Sequence, residues 1–278
     1  MLVSFKEILD IAEKGEFAIP AFNVYNMETV MGVIKAAEEM RAPIILQNYS
    51  RLFTNGEGYY CAPIIIAAAE KATVPVCFHL DHGASEVEVM RAVRSGATGI
   101  MIDKSTLSLE ENVAETKRIA DLCNAIGIKI EGELGHIGAA SNGDEASTDY
   151  TTVEDAVKYV EETGVAALAI MVGTAHGRYK KAPKLAIDRI AEIHKAVDAA
   201  LVLHGGSGVP DEEIKAAIKA GIRKINFGTD LCYAFLDKVF ESSRENVGID
   251  LFMKDAVASV KDFAIEKIKL LGADNKVE

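Results

Sequence analysis

Residues 200–229 read ALVLHGGSGVPDEEIKAAIKAGIRKINFGT, and this stretch contains one complete strand–helix–strand unit. The apolar runs at 200–204 and 223–227 have the length and composition of buried strands. Between them a helix begins near Pro210, and its first turn carries three acidic residues, which the helix dipole favours there. The stretch therefore predicts two parallel strands joined by a crossover helix.

The same unit recurs along the chain, because short apolar runs alternate with stretches of helical period. Eight such runs occupy residues 17–20, 43–47, 74–80, 99–102, 128–134, 166–172, 200–204 and 223–227. Their starts are on average about 29 residues apart, close to the roughly 30 residues of one strand–helix unit. Eight units predict an α/β fold, a closed (β/α)8 TIM barrel, with extra helices at the ends of the chain.

The length of the chain is compatible with one or two domains. At roughly 150 residues per domain, 278 residues correspond to about two, but an α/β barrel commonly uses about 250 residues as one domain. No Pro/Ser-rich linker or charge block divides the chain, so we expect one barrel domain over residues 1–278. The long aperiodic stretch at 135–150, GHIGAASNGDEASTDY, predicts a mobile loop over the site.

The composition predicts a soluble globular protein in a reducing compartment. Hydrophobic residues make up 49% of the chain, enough for a large core. The net charge of −12 repels nucleic acid and anionic membranes, so neither is expected as a partner, and an anionic ligand has to be captured locally. The four cysteines form no CxxC pair, and no run reaches the roughly 18 apolar residues of a membrane helix, so we expect a cytoplasmic protein.

Five of the six histidines stand at or just after the carboxyl end of a strand candidate. In a barrel these ends converge on one face, so histidines distant in sequence can surround one ion. A single histidine there is more often a structural residue, but several together favour a metal. His82, His176 and His204 each precede a glycine, and three imidazoles with an open fourth position are typical of catalytic zinc. His79, inside a strand, and His136, in the long loop, are less suited.

Asp81 is adjacent to His82, and two roles are open for it. A carboxylate beside a divalent ion can exchange a proton with a substrate bound to that ion. Alternatively, Asp81 is a hydrogen-bond partner that fixes the tautomer of a histidine ligand.

Two short turns containing glycine, at 205–208 and 226–229, follow the seventh and eighth strand candidates. The loops after these two strands form the recurrent phosphate site of the barrel fold. The alternative is that both are ordinary tight turns. Because two such turns stand at the expected places, they favour phosphate binding more than a single glycine-rich match would.

Four motifs in this order identify a family resemblance: HLDHG at 79–83, GTAHGRY at 173–179, LHGGSG at 203–208 and NFGTD at 226–230. Together they resemble the class II, zinc-dependent ketose-bisphosphate aldolases, including the fructose- and tagatose-bisphosphate enzymes. The resemblance extends from about residue 20 to residue 230 and includes KIKLLG at 267–272. The motifs are specific for the family and not for one sugar.

The resemblance implies that His82, His176 and His204 bind Zn²⁺. It also implies a second, non-catalytic metal position at Asp103 and Glu133, and a monovalent cation, Na⁺ or K⁺, near the phosphate. The enzymes of this family lead us to expect a homodimer or homotetramer.

The resemblance assigns Asp81 as the acid that protonates the aldehyde oxygen during condensation. The donor in that reaction is dihydroxyacetone phosphate, a small-molecule sugar phosphate. The residues implied to hold it are Asn23, Gly177, Gly205, Gly206, Ser207, Asn226, Phe227, Gly228, Thr229 and Asp230.

Three segments depart from the family pattern. Where relatives carry a Gly-Gly-x-Glu motif whose glutamate moves the donor proton, this chain reads GAASNGDE, so Glu145, or Asp144 beside it, would take that catalytic role. Asp250 stands where bisphosphate-cleaving relatives have an arginine that reaches the neighbouring subunit's site, and a carboxylate there would repel a distal phosphate. The segment at 47–52 and Lys104 also differ and would reshape the acceptor pocket.

These observations predict a zinc-dependent lyase (an aldehyde-lyase) that reversibly cleaves a ketose 1-phosphate to dihydroxyacetone phosphate and an aldehyde with an uncharged far end. The alternative within the family is a fructose- or tagatose-1,6-bisphosphate aldolase. A catalytically inactive sugar-phosphate-binding protein is the alternative of another class, and the intact Asp81 and zinc histidines argue against it.

Overall fold

Eight parallel strands form a closed barrel in sequence order, because β1 pairs with both β2 and β8. The computed structural model describes residues 1–138, 150–177, 179–243, 245 and 247–277. The predicted (β/α)8 TIM barrel is confirmed. Its strands are β1 (Ile19–Asn23), β2 (Ile44–Tyr49), β3 (Val76–Gly83), β4 (Gly99–Ile102), β5 (Ile130–Leu134), β6 (Ala167–Ile170), β7 (Ala200–Leu203) and β8 (Ile222–Phe227).

Helices surround the barrel, and extra helices precede β1 and follow the last strand–helix unit, as the sequence predicted. Capping boxes begin α1 at Ser4 and α6 at Ser108, where each serine side chain accepts a hydrogen bond from the backbone of a glutamate three residues later. The helices are α1 (Phe5–Gly15), α2 (Met27–Met40), α3 (Ser50–Asn55), α4 (Gly58–Lys71), α5 (Glu86–Arg94), α6 (Leu109–Asn124), α7 (Val153–Thr163), α8 (Ile187–Ala196), α9 (Asp211–Ala220), α10 (Thr229–Glu241), α11 (Ile249–Phe252) and α12 (Lys254–Leu270).

The C-terminal helix α12 packs closely against α2. Gly32 of α2 allows this approach, since a Cβ atom there would lie 2.6 Å from Cγ1 of Val260. Among the described residues, no helix combines the length and the apolar character needed to cross a membrane.

Three strands, β1, β2 and β3, extend beyond the predicted ends of their apolar runs, because polar residues continue them into the barrel; β2 ends at Tyr49, two residues beyond 47. β1 ends at Asn23, three residues beyond the predicted end at 20, and the Asn23 amide hydrogen-bonds Asp81 inside the barrel. β3 extends to Gly83 and so contains both Asp81 and His82. A polar residue ends an apolar run in the sequence, but it can continue the strand when its side chain has a buried hydrogen-bond partner.

The interior of the barrel is polar where these partners meet. The ammonium of Lys224 lies 2.9 Å from a carboxylate oxygen of Glu131, and both side chains are fully buried. His79 Nε2 lies 3.6 Å from the same carboxylate group. This buried group of Lys224, Glu131 and His79 lies inside the barrel and contacts residues of the site described below.

Candidate active site

Three histidines meet at the carboxyl end of the barrel. His82 stands at the end of β3, His204 directly follows β7, and His176 lies in the loop after β6. Nδ1 of His204 and Nε2 of His82 are 3.0 Å apart, and one ring nitrogen of each of the three histidines lies within 4.8 Å of the others. The predicted triad is thus brought together. His79 lies within the barrel, and His136 contacts Ser105 instead.

Carboxylates orient two of these imidazoles. Asp103 Oδ2 lies 2.8 Å from Nδ1 of His82, and Glu131 Oε1 lies 2.8 Å from Nε2 of His204. The remaining nitrogens of the two rings therefore face each other. Nε2 of His176 is buried and has no hydrogen-bond partner among the described residues. These three nitrogens, two that face each other and one without a hydrogen-bond partner, have the arrangement expected of ligands to a divalent cation.

The backbone at His82 is held in an unusual conformation. Its φ of 51° lies in the left-handed region, which costs a residue with a side chain free energy. The next residue is glycine because a Cβ atom at Gly83 would lie 2.5 Å from the carbonyl oxygen of Met101 on β4. The close approach of β3 and β4 therefore sets the position of the imidazole.

The surroundings of the histidines separate their pKa values. Burial, with the neighbouring His82, lowers the pKa of His176 to about 4. Burial also lowers the pKa of His204 well below its usual value. At His82 burial opposes ionisation, but Asp81 and Asp103 outweigh it and raise the pKa to about 10. His176 and His204 are therefore neutral and able to donate a lone pair. The neighbouring carboxylates favour a positive charge at His82.

Asp103 and Glu133 meet beside the triad. Glu133 Oε2 lies 3.5 Å from Nδ1 of His204 and 3.9 Å from Nδ1 of His82. Burial and the negative charge of Asp103 raise the pKa of Glu133 to about 8. One possible ligand atom from each of His82, Asp103 and Glu133 also lies within 4.8 Å of the other two, so His82 belongs to both groups.

Asp81 of β3 is held by the side-chain amides of Asn23 on β1 and Asn226 on β8. Its Oδ2 accepts a hydrogen bond from Asn23 Nδ2 at 2.7 Å, and its Oδ1 accepts one from Asn226 Nδ2 at 3.2 Å. Lys224 in turn donates to the amide oxygen of Asn226 at 2.8 Å, and Gln47 donates to that of Asn23 at 3.2 Å. Each amide is thus oriented with its nitrogen towards the carboxylate.

A cavity of about 510 Å³ opens beside these groups. Most residues that the sequence assigned to the substrate line it, together with Asp81, His82 and His176. Those assigned residues are Asn23, Gly177, Gly205, Ser207, Asn226, Gly228 and Thr229.

Three assigned residues do not line the cavity. Gly206 packs against β8, where a Cβ atom would lie 2.6 Å from Ile225. The ring of Phe227 is buried against other aromatic rings, including that of Phe22 at 6.0 Å. Asp230 accepts a hydrogen bond from the Gly208 amide at 3.1 Å, so it connects the loops after β7 and β8.

Other predicted groups lie elsewhere. Glu145 and Asp144 lie outside the described residues. Asp250 is exposed on the short helix α11 and does not line the cavity. Lys104 donates to the carbonyl oxygen of Ala84 at 2.6 Å and does not line the cavity either.

Sequence reasoning missed several residues of the site. Glu131 and Lys224 are 93 positions apart and become partners only because the barrel closes. Tyr179 bridges two loops, since its hydroxyl donates to the Gly205 carbonyl oxygen and accepts from the Ala175 amide, each at 2.8 Å. The GTAHGRY motif ends at Tyr179 and was the available signal.

Comparison with known proteins gives the class of protein that this fold and site define. The family model described as fructose-bisphosphate aldolase class-II matches residues 3–276, so the chain belongs to that family. The chain is therefore an aldolase, a carbon–carbon lyase, as predicted.

Individual relatives match over nearly their full length. A sulfofructosephosphate aldolase of Alkalicoccus urumqiensis is 37% identical over 99% of this chain and 98% of its own. YdjI of Escherichia coli (strain K12) is 38% identical over all of both chains, and the X-ray structure of the YdjI aldolase superposes with a TM-score of 0.91. The crystal structure of a putative fructose-1,6-bisphosphate aldolase from Coccidioides immitis is 28% identical in sequence. It matches 97% of this chain and 96% of its own chain, with a TM-score of 0.88.

Proposed function

We propose that this aldolase reversibly cleaves a ketose 1-phosphate into dihydroxyacetone phosphate and an aldehyde, with Zn²⁺ as its cofactor. One observation carries the proposal: three imidazoles and the carboxylate of Asp81 meet beside a single cavity. A protein that only binds a sugar phosphate has no need of an acid beside a metal site.

His82, His176 and His204 would hold the zinc ion. Burial keeps the pKa of both His176 and His204 low, so they present the neutral form that binds zinc. When bound, zinc would polarise the donor ketone and stabilise the negative charge that develops on it as the carbon–carbon bond breaks. A Schiff-base lysine is then unnecessary.

Asp81 would move the proton of the aldehyde oxygen. In the cleavage direction its carboxylate accepts the proton from the hydroxyl on carbon four while the bond between carbons three and four breaks. In condensation it returns that proton to the aldehyde oxygen. Because Asp103 already pairs with Nδ1 of His82, the tautomer of that ring does not require Asp81, which supports proton transfer over the alternative role.

A second group has to deliver a proton to carbon three of the donor after cleavage. We assign this role to Glu145, in the stretch of sequence that follows His136 of the cavity wall. In Glu145→Gln, proton exchange at carbon three of dihydroxyacetone phosphate should slow while zinc binding persists.

The donor phosphate would be held by backbone amides of the loops after β6, β7 and β8. Gly177 and Gly205 line the cavity and have φ values of 101° and 67°, so their amides adopt directions that other residues rarely reach. Ser207 and Thr229 add hydroxyl groups. The proposal requires no monovalent cation beside the phosphate.

A fructose- or tagatose-1,6-bisphosphate aldolase is the second candidate, and the family description, fructose-bisphosphate aldolase class-II, favours the fructose substrate. The name of the Alkalicoccus urumqiensis relative indicates a fructose substrate with a sulfo and a phosphate group. The family description and the name of this relative both indicate a ketose phosphate as substrate. They differ in the group at the far end of that substrate.

We also propose a homodimer or homotetramer in the cytoplasm, with no nucleic-acid or membrane partner. Apolar side chains are exposed on α10 and α11 and between them: Phe240 at 82%, Val247 at 90% and Ile249 at 74%. A surface of this kind supports an interface between subunits. Light scattering of the purified protein measures the number of chains.

The reaction is tested by offering dihydroxyacetone phosphate together with phosphorylated and unphosphorylated aldehydes of several lengths. We expect carbon–carbon bond formation that depends on dihydroxyacetone phosphate and on zinc. No product with any aldehyde of the panel would contradict the proposal.

A further inference from the structure

Arg51 is the only lysine or arginine among the described residues that line the cavity. It lies in the first turn of α3, directly after β2, and its side chain is exposed. The protein as a whole carries a net charge of −12, so Arg51 places a positive charge at the cavity of a protein that is negatively charged overall.

Two tyrosines hold the guanidinium in place. Its central carbon lies 4.9 Å from the ring centroid of Tyr49 and 5.5 Å from that of Tyr25. In the described part of the chain, no carboxylate oxygen lies within 4.0 Å of it, although Asp81 and Asp103 line the same cavity. Stacking on rings leaves the N–H groups at the edge of a guanidinium able to bind an anion in bidentate fashion.

The position of Arg51 relative to the donor phosphate follows from the order of the strands. In a closed eight-stranded barrel, β2 lies opposite β6 and three strands away from β7. The glycine turns assigned to the donor phosphate follow β6, β7 and β8, and β8 is two strands away from β2. The ring of Tyr49 lies 5.7 Å from that of His82, so a single aromatic ring separates Arg51 from the metal ligands. Arg51 is therefore on the acceptor side of the metal site.

We infer that Arg51 binds an anionic group at the far end of the acceptor aldehyde. Phosphate and sulfonate share the chemistry that a guanidinium recognises, since both present several oxygen acceptors with a negative charge. The inference rests on the proposed function and deepens it. It replaces the expectation of an uncharged far end, which was based on Asp250, because Asp250 does not line the cavity and Arg51 does.

The test compares three-carbon aldehydes that differ only in the group on carbon three. These are glyceraldehyde, glyceraldehyde 3-phosphate and the matching sulfonate, 3-sulfolactaldehyde, each condensed with dihydroxyacetone phosphate. The wild-type enzyme should show a higher kcat/KM for at least one anionic aldehyde than for glyceraldehyde. The preferred anion identifies the group that the substrate carries.

Variants assign the preference to Arg51. In Arg51→Gln the ratio of kcat/KM for the anionic over the neutral aldehyde should fall about 10- to 100-fold, mainly through KM, because a charge-assisted hydrogen bond is lost. Arg51→Lys keeps the charge without the planar fork and should be intermediate. Arg94→Gln removes an exposed arginine of α5 outside the cavity and should leave the ratio unchanged.

Two results overturn the inference while leaving the proposed function intact. One is a wild-type enzyme that prefers glyceraldehyde to both anionic aldehydes. The other is an equal loss with all three aldehydes in Arg51→Gln, which would mean that Arg51 only stabilises the loop after β2. Absence of both condensation and proton exchange at carbon three of dihydroxyacetone phosphate in the wild-type enzyme would refute the proposed function itself.

Discussion

At the scale of single residues, the buried side chain of Lys224 contacts the partners of both His204 and Asp81. Its ammonium lies 2.9 Å from Glu131, which orients His204, and 2.8 Å from the amide oxygen of Asn226, which orients its nitrogen towards Asp81. The side chain is fully buried. The ammonium of Lys224 thus positions both the proposed metal ligand His204 and the proposed proton donor Asp81.

Replacing this lysine should lower both the stability of the fold and its affinity for zinc. In Lys224→Met the Glu131 carboxylate is left buried without its cation, and breaking a buried pair in this way typically costs about 3–5 kcal/mol. Denaturant unfolding and zinc titration measure the two effects. Lys238→Met removes the exposed partner of Glu241 and should change neither. An unchanged zinc affinity in Lys224→Met would contradict the positioning role, and an unchanged unfolding midpoint would contradict the predicted loss of stability.

Asp81 carries the most specific prediction at this scale. Asp81→Asn should keep zinc and dihydroxyacetone phosphate bound but lower the rate of carbon–carbon cleavage by about a hundredfold to ten-thousandfold, the usual effect of losing a positioned acid or base. Proton exchange at carbon three of the donor should survive, because that step is assigned to another group. A loss of less than about tenfold would instead make Asp81 a residue that only orients its neighbours.

At the scale of elements, the loops after β6 and β7 are joined by one hydroxyl group. Tyr179 accepts a hydrogen bond from the Ala175 amide and donates one to the Gly205 carbonyl oxygen. Its ring also lies 3.2 Å from the place that a Cβ atom on Gly208 would occupy. The shape of the proposed phosphate site therefore depends on this side chain.

Tyr179→Phe should weaken binding of the donor more than catalysis. Losing a hydrogen bond typically costs about 1 kcal/mol, or roughly a fivefold change in an equilibrium constant. We expect KM for dihydroxyacetone phosphate to rise about threefold to tenfold, with kcat nearly unchanged. The exposed Tyr60 provides the matched control, Tyr60→Phe. Equal kinetics in both variants would show that the loops keep their shape without the bridge.

At the scale of the whole molecule, the sequence predicts the barrel and the histidine triad because both follow from periodicity. Parallel strands joined by helices place their carboxyl ends on one face, so His82, His176 and His204 could be grouped without knowing any distance. Strand ends were predicted less well where polar residues continue a strand, as at Asn23.

The parts of the site that sequence reasoning missed depend on contacts between distant segments. The pairing of Lys224 with Glu131 requires the barrel to close, because β5 and β8 are not adjacent strands. The stacking of Arg51 on Tyr25 joins the loops after β1 and β2, whose conformations no periodicity determines. The sequence did place Arg51 in the segment at 47–52 that was expected to reshape the acceptor pocket, and Tyr49 and Arg51 of that segment line the cavity.

Zinc dependence tests the central claim most directly. The enzyme is freed of metal with a chelator, and aldol cleavage is measured while zinc is added, for the wild-type chain and for His204→Ala. We predict no cleavage without metal, full recovery with zinc in the wild type, and neither recovery nor tight zinc binding in the variant. Full activity of the metal-free protein, or inactivation by borohydride through a trapped Schiff base, would contradict the account.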